Sequence, residues 1–164
     1  MSEQVFGESM KFFSDRHPDP NKRTALNVQY TLTRAGHPTV SIEIAPIYQV
    51  GAPPAWTEKI TVQLTRTELT SFSCVLFELK KEVKSSYHGV AKNKSIAVYG
   101  NGPLGSAINL AESGRQLQHF LTTEDRLELA VFVVRRLSEA WKVAPSDTIA
   151  LLRQAAWMEK EATR

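Results

Sequence analysis

The sequence contains a single cysteine, few histidines and no long apolar run. With Cys74 alone, no intramolecular disulfide framework is possible, and the four scattered histidines show no zinc-ligand spacing. No apolar segment approaches the roughly 20 residues that cross a bilayer. Residues 1–17 carry three acidic side chains, unlike a secretory signal or a transit peptide. These absences predict a protein of a reducing cytoplasm, of prokaryotic, phage or plasmid origin, without membrane contact.

The composition indicates a folded chain with a mild excess of positive charge. Of the 164 residues, 42% are hydrophobic and 23% are charged, which is typical of a globular domain rather than a disordered segment. The 20 lysine and arginine residues exceed the 17 acidic residues, so the formal net charge is +3. This balance permits a polyanionic partner without requiring one.

The first half of the chain shows the two-residue alternation of half-buried strands. Residues up to about Asn21 end in a proline-rich turn and have no periodicity, so we predict an irregular segment there. From Leu26 onward apolar and polar residues alternate, and the pattern returns after the turn near Gly36 and the loop near Gly51. The alternating apolar positions are Leu26, Val28, Tyr30 and Leu32, then Val40, Ile42 and Ile44, then Ile60, Val62 and Leu64. The pattern predicts three strands of an antiparallel meander.

At Thr65 the apolar period changes to that of a helix. Thr65 with Glu68 three residues later is a capping-box pattern, in which side chains bond the free amides at a helix start. The apolar residues that follow keep a spacing of three to four and are Leu69, Phe72, Leu76, Leu79 and Val83. We therefore predict a helix that ends near Gly89, with Lys80, Lys81 and Lys84 on its solvated surface.

A second round of strands and helices follows the first. We predict strands at 95–99, 106–112 and 116–121, and the pair Thr122 and Asp125 again marks a helix start. The stripe of that helix consists of Leu127, Val131, Val134, Leu137 and Trp141, and a last helix starts at Pro145. Strands grouped ahead of helices predict an α+β fold of curved antiparallel sheets with packed helices, built from two strands-then-helix units. The predicted boundaries are 1–21 for the irregular segment, 22–144 for the domain and 145–164 for the C-terminal helix.

Three stretches resemble the Whirly family of single-stranded DNA-binding proteins, within the wider PC4-like group. Residues 21–28, Asn-Lys-Arg-Thr-Ala-Leu-Asn-Val, resemble the basic Lys-Gly-Lys-Ala-Ala-Leu-Thr-Val opening of that family's first strand. Residues 60–69 are similar to its strand-into-helix junction, and 108–110 with 121–124 to its closing strands and second helix. The chain departs from the family at Asn21, Lys22 and Arg23, and its second hairpin region is shorter. The resemblance implies a tetramer of subunits with two packed halves, which grips single-stranded DNA along sheet edges without catalysis.

Single strands are bound by aromatic rings that stack unpaired bases and by cations that follow the phosphates. The sequence offers both kinds of residue in or beside its predicted strands, together with amides that bond to base edges. The candidate contact residues are Lys22, Arg23, Asn27, Gln29, Arg34, Trp56, Lys59, Lys92, Lys94 and Tyr99. Tyr48 and Phe120 are further aromatic residues beside strands, whereas Tyr30 lies on an apolar strand face and is predicted to pack in the core.

A competing motif lies at residues 100–105. Their sequence, Gly-Asn-Gly-Pro-Leu-Gly, matches the glycine pattern of dinucleotide-binding loops, and Glu124 lies near the position of a ribose contact. The chain then ends in two predicted helices, so no strands remain beyond Leu121 to complete a parallel sheet. Asn-Gly is also a common hairpin signal. We favour the hairpin and keep a dinucleotide-binding enzyme as an alternative.

No nucleophile, acid–base or metal-ligand set emerges from the sequence, so we expect no enzyme, cofactor or metal site. We predict a single-stranded DNA-binding protein with little sequence preference, acting in DNA metabolism or transcription. Single-stranded RNA binding or annealing is the alternative, because stacking does not distinguish the two sugars. A homo-oligomer, with a tetramer favoured, is expected to form through helix residues such as Leu127, Val131, Val134 and Trp141. A scaffold that only builds an oligomer is the remaining interpretation.

Overall fold

The computed structural model describes residues 7–162, which form two four-stranded antiparallel sheets and three α-helices. Sheet 1 comprises β1 (Ser9–Phe13), β2 (Thr24–Leu32), β3 (Pro38–Pro46) and β4 (Ile60–Gln63), and α1 (Arg66–Leu76) follows it. Sheet 2 comprises β5 (Glu82–His88), β6 (Lys94–Gly100), β7 (Ser106–Glu112) and β8 (Arg115–Leu121), and α2 (Thr123–Trp141) follows it. Helix α3 (Pro145–Ala162) comes last. The predicted α+β fold of two strands-then-helix units is confirmed. Residues 1–6 of the predicted irregular segment and residues 163–164 of the predicted C-terminal helix lie outside the described residues.

The alternation of sheet 1 buries one face of each strand. Leu26 in β2 lies beside Ile44 in β3, which lies beside Ile60 in β4, and all three are fully buried. Polar residues occupy the opposite, outer face, because successive side chains of a strand point to opposite sides of the sheet. The three predicted strands are confirmed, although Leu32 at the end of β2 is 57% exposed.

The predicted irregular segment at 1–21 is wrong for residues 9–13, which form β1 antiparallel to β2. Phe12 is buried in the core and Met10 is half-buried, whereas Ser9, Lys11 and Phe13 are exposed. With only two inward apolar residues, the alternation of this strand is too short to be distinguished in the sequence. Pairing with β2 supplies the backbone hydrogen bonds that stabilise the strand.

Helix α1 begins as predicted and ends earlier. The Thr65 hydroxyl accepts a hydrogen bond from the Glu68 amide at 3.3 Å, and the Glu68 carboxylate accepts one from the Thr65 amide at 2.8 Å, so the capping box is present. The helix stops two residues before Glu78, whose left-handed backbone has a φ of 56°. The predicted continuation of the helix is wrong, because the next segment pairs with β6 as strand β5. Val83 packs against the core from β5, so it fits both the helical spacing of the predicted stripe and the alternation of a strand.

The glycine-rich segment is the hairpin between β6 and β7, as predicted. The two strands run antiparallel with Gly100 opposite Ser106, and a 3₁₀ turn at Gly102–Leu104 connects them. Gly105 has a φ of 95°, and a Cβ at this position would overlap the carbonyl oxygen of Leu121. Only glycine fits this close approach of the hairpin to the end of β8.

The two sheets pack against each other through their apolar faces, and the helices close the core. β4 contacts β6 and β7, and β8 contacts β2 and β3. The ring of Tyr30 stacks on that of Phe132 in α2 with the centroids 4.3 Å apart, and its hydroxyl donates a hydrogen bond to the Phe132 carbonyl. Burial raises the pKa of Tyr30 to about 12. Tyr30 is therefore a core residue, as predicted, and not a stacking residue.

Helix α2 begins where its cap pattern predicts. The Thr122 hydroxyl accepts a hydrogen bond from the Asp125 amide at 3.1 Å. The predicted apolar stripe divides into two groups, because the helix packs on the core through a face slightly rotated from the stripe. Val134 and Leu137 are buried, Trp141 is half-buried, and Leu127 and Val131 are 59% and 50% exposed.

Candidate nucleic-acid interface

The outer face of sheet 2 carries two aromatic residues on either side of a small one. Strand register places Tyr99 of β6, Ala107 of β7 and Phe120 of β8 in one row across the sheet. Neighbouring strands lie about 4.8 Å apart, so the two ring-bearing residues stand roughly 10 Å apart with only a methyl group between them. We call this surface the platform; it comprises Tyr99, Ala107 and Phe120 with Ala97, Asn109 and Gln118 of the next row.

Each platform ring has a lysine ammonium over it. Nζ of Lys22 lies 5.1 Å from the centre of the Phe120 ring, and Nζ of Lys84 lies 5.7 Å from the centre of the Tyr99 ring. Lys22 belongs to the 3₁₀ turn before β2, and Lys84 belongs to the edge strand β5, so cations from both units border one face. Phe120 is 37% exposed although its side chain is large and apolar. The face thus combines accessible rings with positive charge.

The row beside the rings carries side-chain amides. Asn109 of β7 lies between Ala97 of β6 and Gln118 of β8. The Oδ1 atom of Asn109 is buried and has no hydrogen-bond partner within residues 7–162. Asn109 and Gln118 are both half-buried, and since side-chain amides carry both donors and acceptors, their accessible groups can bond the edges of planar groups held against the rings.

Behind the platform, His119 of β8 lies in the junction between the sheets. Its side chain is almost fully buried, and its Nδ1 atom lies 2.9 Å from the hydroxyl of Thr24. The hydroxyl donates to the Gln118 carbonyl at 3.1 Å, so Nδ1–H is the donor to the hydroxyl oxygen. Burial lowers the pKa of His119 to about 4, and the ring is therefore neutral at neutral pH. These bonds fix the start of β2, and with it Lys22, against the strand that carries Phe120.

The outer face of sheet 1 is polar and internally paired. Glu43 in β3 accepts hydrogen bonds from Nδ2 of Asn27 at 2.8 Å and from the Thr61 hydroxyl at 3.1 Å, and it forms an ion pair with Lys59. Burial alone raises the pKa of Glu43, but the bonds from Lys59 and Asn27 outweigh burial and hold the pKa below its usual value. The ionised carboxylate neutralises Lys59 and engages Asn27. Lys59 and Asn27, two predicted contact residues, are therefore engaged by Glu43.

Three further predicted contacts lie on sheet 1 or beside it. The Arg23 guanidinium donates to two backbone carbonyls of the preceding turn at 2.7 and 3.3 Å, so it holds that turn against β2. Gln29 is half-buried on the outer face of β2 and donates to a carbonyl of the segment before β1 at 3.4 Å. Arg34 is exposed in the turn between β2 and β3. Since β2 has nine residues and spans about 30 Å, Arg34 and Lys22 lie at opposite ends of sheet 1.

The remaining predicted contacts lie around the junction of the sheets and at a hairpin tip. Trp56 is half-buried in the 3₁₀ turn between β3 and β4. Lys94 in β6 is half-buried, donates to the Thr61 carbonyl at 3.1 Å and pairs with Glu112 at 3.4 Å. Lys92 is exposed in the turn between β5 and β6. Of the predicted contact residues, Tyr99 lies on the platform and Lys22 lies over its Phe120 ring, whereas the others lie outside it.

Sequence reasoning did not select Phe120, Lys84 or Asn109 as contacts. The predicted helix assigns Lys84 to a solvated surface, whereas strand β5 places it beside the Tyr99 ring. The available signal was the alternation in β7, where Ala107 and Asn109 occupy one face and Ile108 and Leu110, both fully buried, occupy the other. Ala107, itself 3% exposed, is too small to cover the rings on either side of it.

The glycine-rich hairpin is filled by the protein's own side chains. The Gly102 amide donates to the Glu78 carboxylate at 3.2 Å, and Arg126 forms an ion pair with the same carboxylate. Arg126 also donates to the carbonyls of Gly102 at 3.0 Å and Gly105 at 3.1 Å. A carboxylate therefore occupies the place at which a dinucleotide loop would hold a phosphate, and antiparallel strands flank the loop. The dinucleotide-fingerprint interpretation is wrong.

The remaining groups that could carry chemistry are Cys74 and the acidic and histidine side chains. Cys74 is 7% exposed, and burial raises the pKa of its thiol, so it packs as a small apolar residue. Between residues 7 and 162, no group of three or more His, Cys, Asp or Glu side chains is arranged to hold a metal ion. None of the described helices is both long and apolar enough to span a membrane.

Three solved structures share this architecture, two of plant proteins and one of a trypanosome protein. The structure of the plant transcriptional regulator PBF-2 matches with a TM-score of 0.63 and 14% identity, over 86% of this chain and 93% of that one. WHY1 from Arabidopsis thaliana matches with a TM-score of 0.57 and 12% identity, over 96% of both chains. MRP1/MRP2 of Trypanosoma brucei match with a TM-score of 0.61 and 13% identity, over 82% of this chain and 86% of that one.

These likenesses define the fold. No protein-family model matches the chain, and a search of curated proteins gave no match. The structural matches span 82 to 96% of this chain at 12 to 14% identity. The chain has a Whirly-like fold, as its sequence motifs predicted.

Proposed function

We propose that the chain binds single-stranded nucleic acid, DNA foremost, on the platform of sheet 2, with little sequence preference and without catalysis. The observation that carries the proposal is the row of Tyr99, Ala107 and Phe120 on the outer face of sheet 2, with a lysine ammonium over each ring. Unpaired bases stack on such rings whatever their identity, because every base has a π-face. The lysines neutralise the phosphates that follow the stacked bases.

The lysines over the rings do not prevent stacking. A cation–π contact at an exposed site contributes about 0.5–1 kcal/mol, whereas a base stacked on an aromatic side chain contributes about 1–3 kcal/mol. Lys84 also lies 3.9 Å from Glu82, but an exposed pair of this kind adds little. A base therefore displaces the ammonium, and the flexible lysine stem carries the charge to a neighbouring phosphate.

The platform favours single strands over duplexes, because the base faces that stack on rings are buried inside a double helix. Stacking and phosphate contacts do not distinguish DNA from RNA, which requires a contact with the 2′-OH. RNA is therefore the alternative ligand. We propose DNA as the main ligand because the sequence motifs resemble those of the Whirly family. The fold is also shared with WHY1 and with PBF-2, a plant transcriptional regulator.

The proposal includes a homo-oligomer, with a tetramer favoured. Leu127 and Val131, on successive turns of α2, are 59% and 50% exposed, and Leu151 and Met158 of α3 are similarly exposed. Clustered apolar residues on a surface are commonly covered by another chain. Val134 is buried within the subunit, so it belongs to the core rather than to the contact. Light scattering of the wild type and of a Leu127→Lys, Val131→Lys variant tests this part; a monomeric wild type would refute it.

Fluorescence anisotropy with single-stranded DNA, single-stranded RNA and duplex DNA of one sequence tests the binding. We expect both single strands to bind more tightly than the duplex and all affinities to fall as salt rises. Tyr99→Ala with Phe120→Ala removes two stacks and should weaken binding about 30-fold or more. Replacing Lys22 and Lys84 by glutamine should reduce the slope of log affinity against log salt by about 1.4, since each phosphate contact on a single strand contributes about 0.7.

Arg34→Gln is the matched control, because this exposed cation lies at the far end of sheet 1 from Lys22. We expect its affinity and salt slope to equal those of the wild type. Duplex binding as tight as single-strand binding would refute the proposal, as would an unchanged affinity after removal of both platform rings. A stable oligomer that binds no nucleic acid would identify the protein as a scaffold instead.

A further inference from the structure

A β-bulge near the end of β5 places Tyr87 where regular alternation would not. The pairing of β5 with β6 is regular through Ser85, shifts, and resumes at His88. Two residues, Ser86 and Tyr87, therefore stand opposite the single residue Ser95. A bulge of this kind re-aims the side chains that follow it.

The neighbours of Tyr87 show this change of direction. The Glu68 carboxylate of α1 is hydrogen-bonded by the Ser85 side chain, and its Oε2 atom lies 2.7 Å from Nε2 of His88. Ser85 and His88 thus face α1 together, although residues an odd number apart lie on opposite faces of a regular strand. The side chains of His88 and Glu68 are 12% and 13% exposed, so the bulge is held from the core side.

Tyr87 itself has an unfavourable backbone and an exposed ring. Its φ of 64° lies in the left-handed region, which side chains other than glycine rarely adopt. Holding a non-glycine residue in this region strains the backbone, and such strain concentrates at binding sites. Tyr87 is 79% exposed, so the ring contributes almost nothing to the core. Folding alone gives no reason for a tyrosine at this position.

The position of Tyr87 continues the platform. Ser95, opposite the bulge, lies on the outer face of β6 with Tyr99, four residues or roughly 13 Å farther along the strand. Lys84 lies between the two tyrosines on β5, and Lys92 is exposed at the hairpin tip. Phe120 and Tyr99 lie in one row across the strands and Tyr87 lies farther along the strand direction, so the three rings follow a bent path with cations beside it.

We propose that Tyr87 is a third base-stacking residue, which extends the bound single strand from the platform along β5 to the tip of the β5–β6 hairpin. The inference rests on the proposed function and adds a contact that strand alternation alone would have assigned to the inner face. The bulge and the pair of Glu68 with His88 position the ring. Lys92 meets the phosphate beyond it.

Three substitutions of Tyr87 test the inference in anisotropy titrations with a single strand of about 12 nucleotides. Tyr87→Ala should weaken binding about fivefold or more, and Tyr87→Phe should bind like the wild type because it keeps the ring. Glycine adopts a φ of 64° more readily than tyrosine. We therefore expect Tyr87→Gly to melt at the same or a higher temperature than the wild type and to lose as much affinity as Tyr87→Ala. A purely structural role would not separate stability from binding in this way.

Tyr48→Ala is the matched control, because Tyr48 is 65% exposed in the loop between β3 and β4 and lies off the platform. We expect no change in affinity. Wild-type affinity of Tyr87→Ala, alongside weakened binding by Tyr99→Ala, would overturn the third stack and leave the platform intact. A wild type that binds no single strand, or ring variants that all bind normally, would refute the proposed function itself.

Photocrosslinking with a halogenated uracil in the strand gives a direct readout on the wild-type protein. Stacked rings crosslink to such bases, and mass spectrometry identifies the modified peptide. We expect crosslinks at Tyr87 in addition to Tyr99. Crosslinks restricted to Tyr99 and Phe120 would overturn the inference.

Discussion

Acid should destabilise this protein through His119, the histidine at the junction of the two sheets. Its ring is 1% exposed, its Nδ1 atom lies 2.9 Å from the Thr24 hydroxyl, and burial lowers its pKa to about 4. A histidine in the unfolded chain has a pKa of about 6.5. The unfolded state therefore takes up a proton at pH values at which the folded state does not.

The pKa difference sets the magnitude of the effect. About 2.5 pKa units correspond to about 3 kcal/mol of unfolding free energy. Because the unfolded state binds the proton first, the contribution of neutral His119 is complete above pH of about 6.5 and is lost as the pH falls to about 4. Between pH of about 7.5 and about 4.5 the loss amounts to about 2.5 kcal/mol. This is a substantial part of the stability of an ordinary domain.

Urea unfolding of the wild type and of His119→Asn across that pH range measures the loss. Asparagine keeps a polar group near the Thr24 hydroxyl and does not titrate, so the comparison rests on the pH dependence and not on the absolute stability. We expect the free energy of unfolding of the variant to change much less with pH. Glu43 and Glu68, whose pKa values are lowered by hydrogen bonds that outweigh burial, add a loss at lower pH in both proteins. Parallel pH profiles would refute the assignment to His119.

Two further predictions concern the hairpin and the outer face of sheet 1. Gly105→Ala should lower the free energy of unfolding by more than about 2 kcal/mol, because its Cβ meets the Leu121 carbonyl at a φ of 95°. Gly102→Ala, at a φ of 58° with open space around it, should cost about 1 kcal/mol, and equal losses in thermal unfolding would contradict the packing described. Glu43→Gln releases Lys59 but should leave the salt slope of single-strand binding unchanged, because the proposed binding face lies on sheet 2. A slope steeper by about 0.7 would show instead that Lys59 contacts a phosphate.

Local patterns predicted the parts of the fold that local physics determines. Both helix starts were predicted because Thr65 and Thr122 bond amides within their own first turns. The other strands of sheet 1 were predicted because one face of each carries an apolar run that is buried. β1 and β5 were not predicted, since each carries only one or two inward apolar residues. Val83 in β5 even fits the preceding helix stripe, so the period alone does not separate the two structures.

The candidate site was less predictable, because it depends on register between strands. Tyr99 and Lys22 are recognisable as a strand aromatic and a flanking cation, but nothing local indicates that Phe120 stands in the same row as Tyr99. The same limit applies to Asn27, which appears free in the sequence and is engaged by Glu43 16 residues away. Composition identifies which groups are available, and only the pairing of strands determines which of them meet.

The two units repeat one order of elements, yet only one of their outer faces suits a polyanion. In sheet 1 the ionised Glu43 lies in the middle of the face and cancels the charge of Lys59, so a phosphate there meets a carboxylate. In sheet 2 the corresponding position is Ala107, and the ammonium groups of Lys22 and Lys84 border the face. The carboxylate of Glu82 lies at the edge of this face, opposite Tyr99 and 3.9 Å from Lys84, rather than in its middle. Lys22 belongs to the first unit but lies over a ring of the second, because Thr24 anchors the start of β2 to β8. The packing of the two sheets thus completes the proposed binding face, because the second unit supplies both rings and Lys84 whereas Lys22 comes from the first.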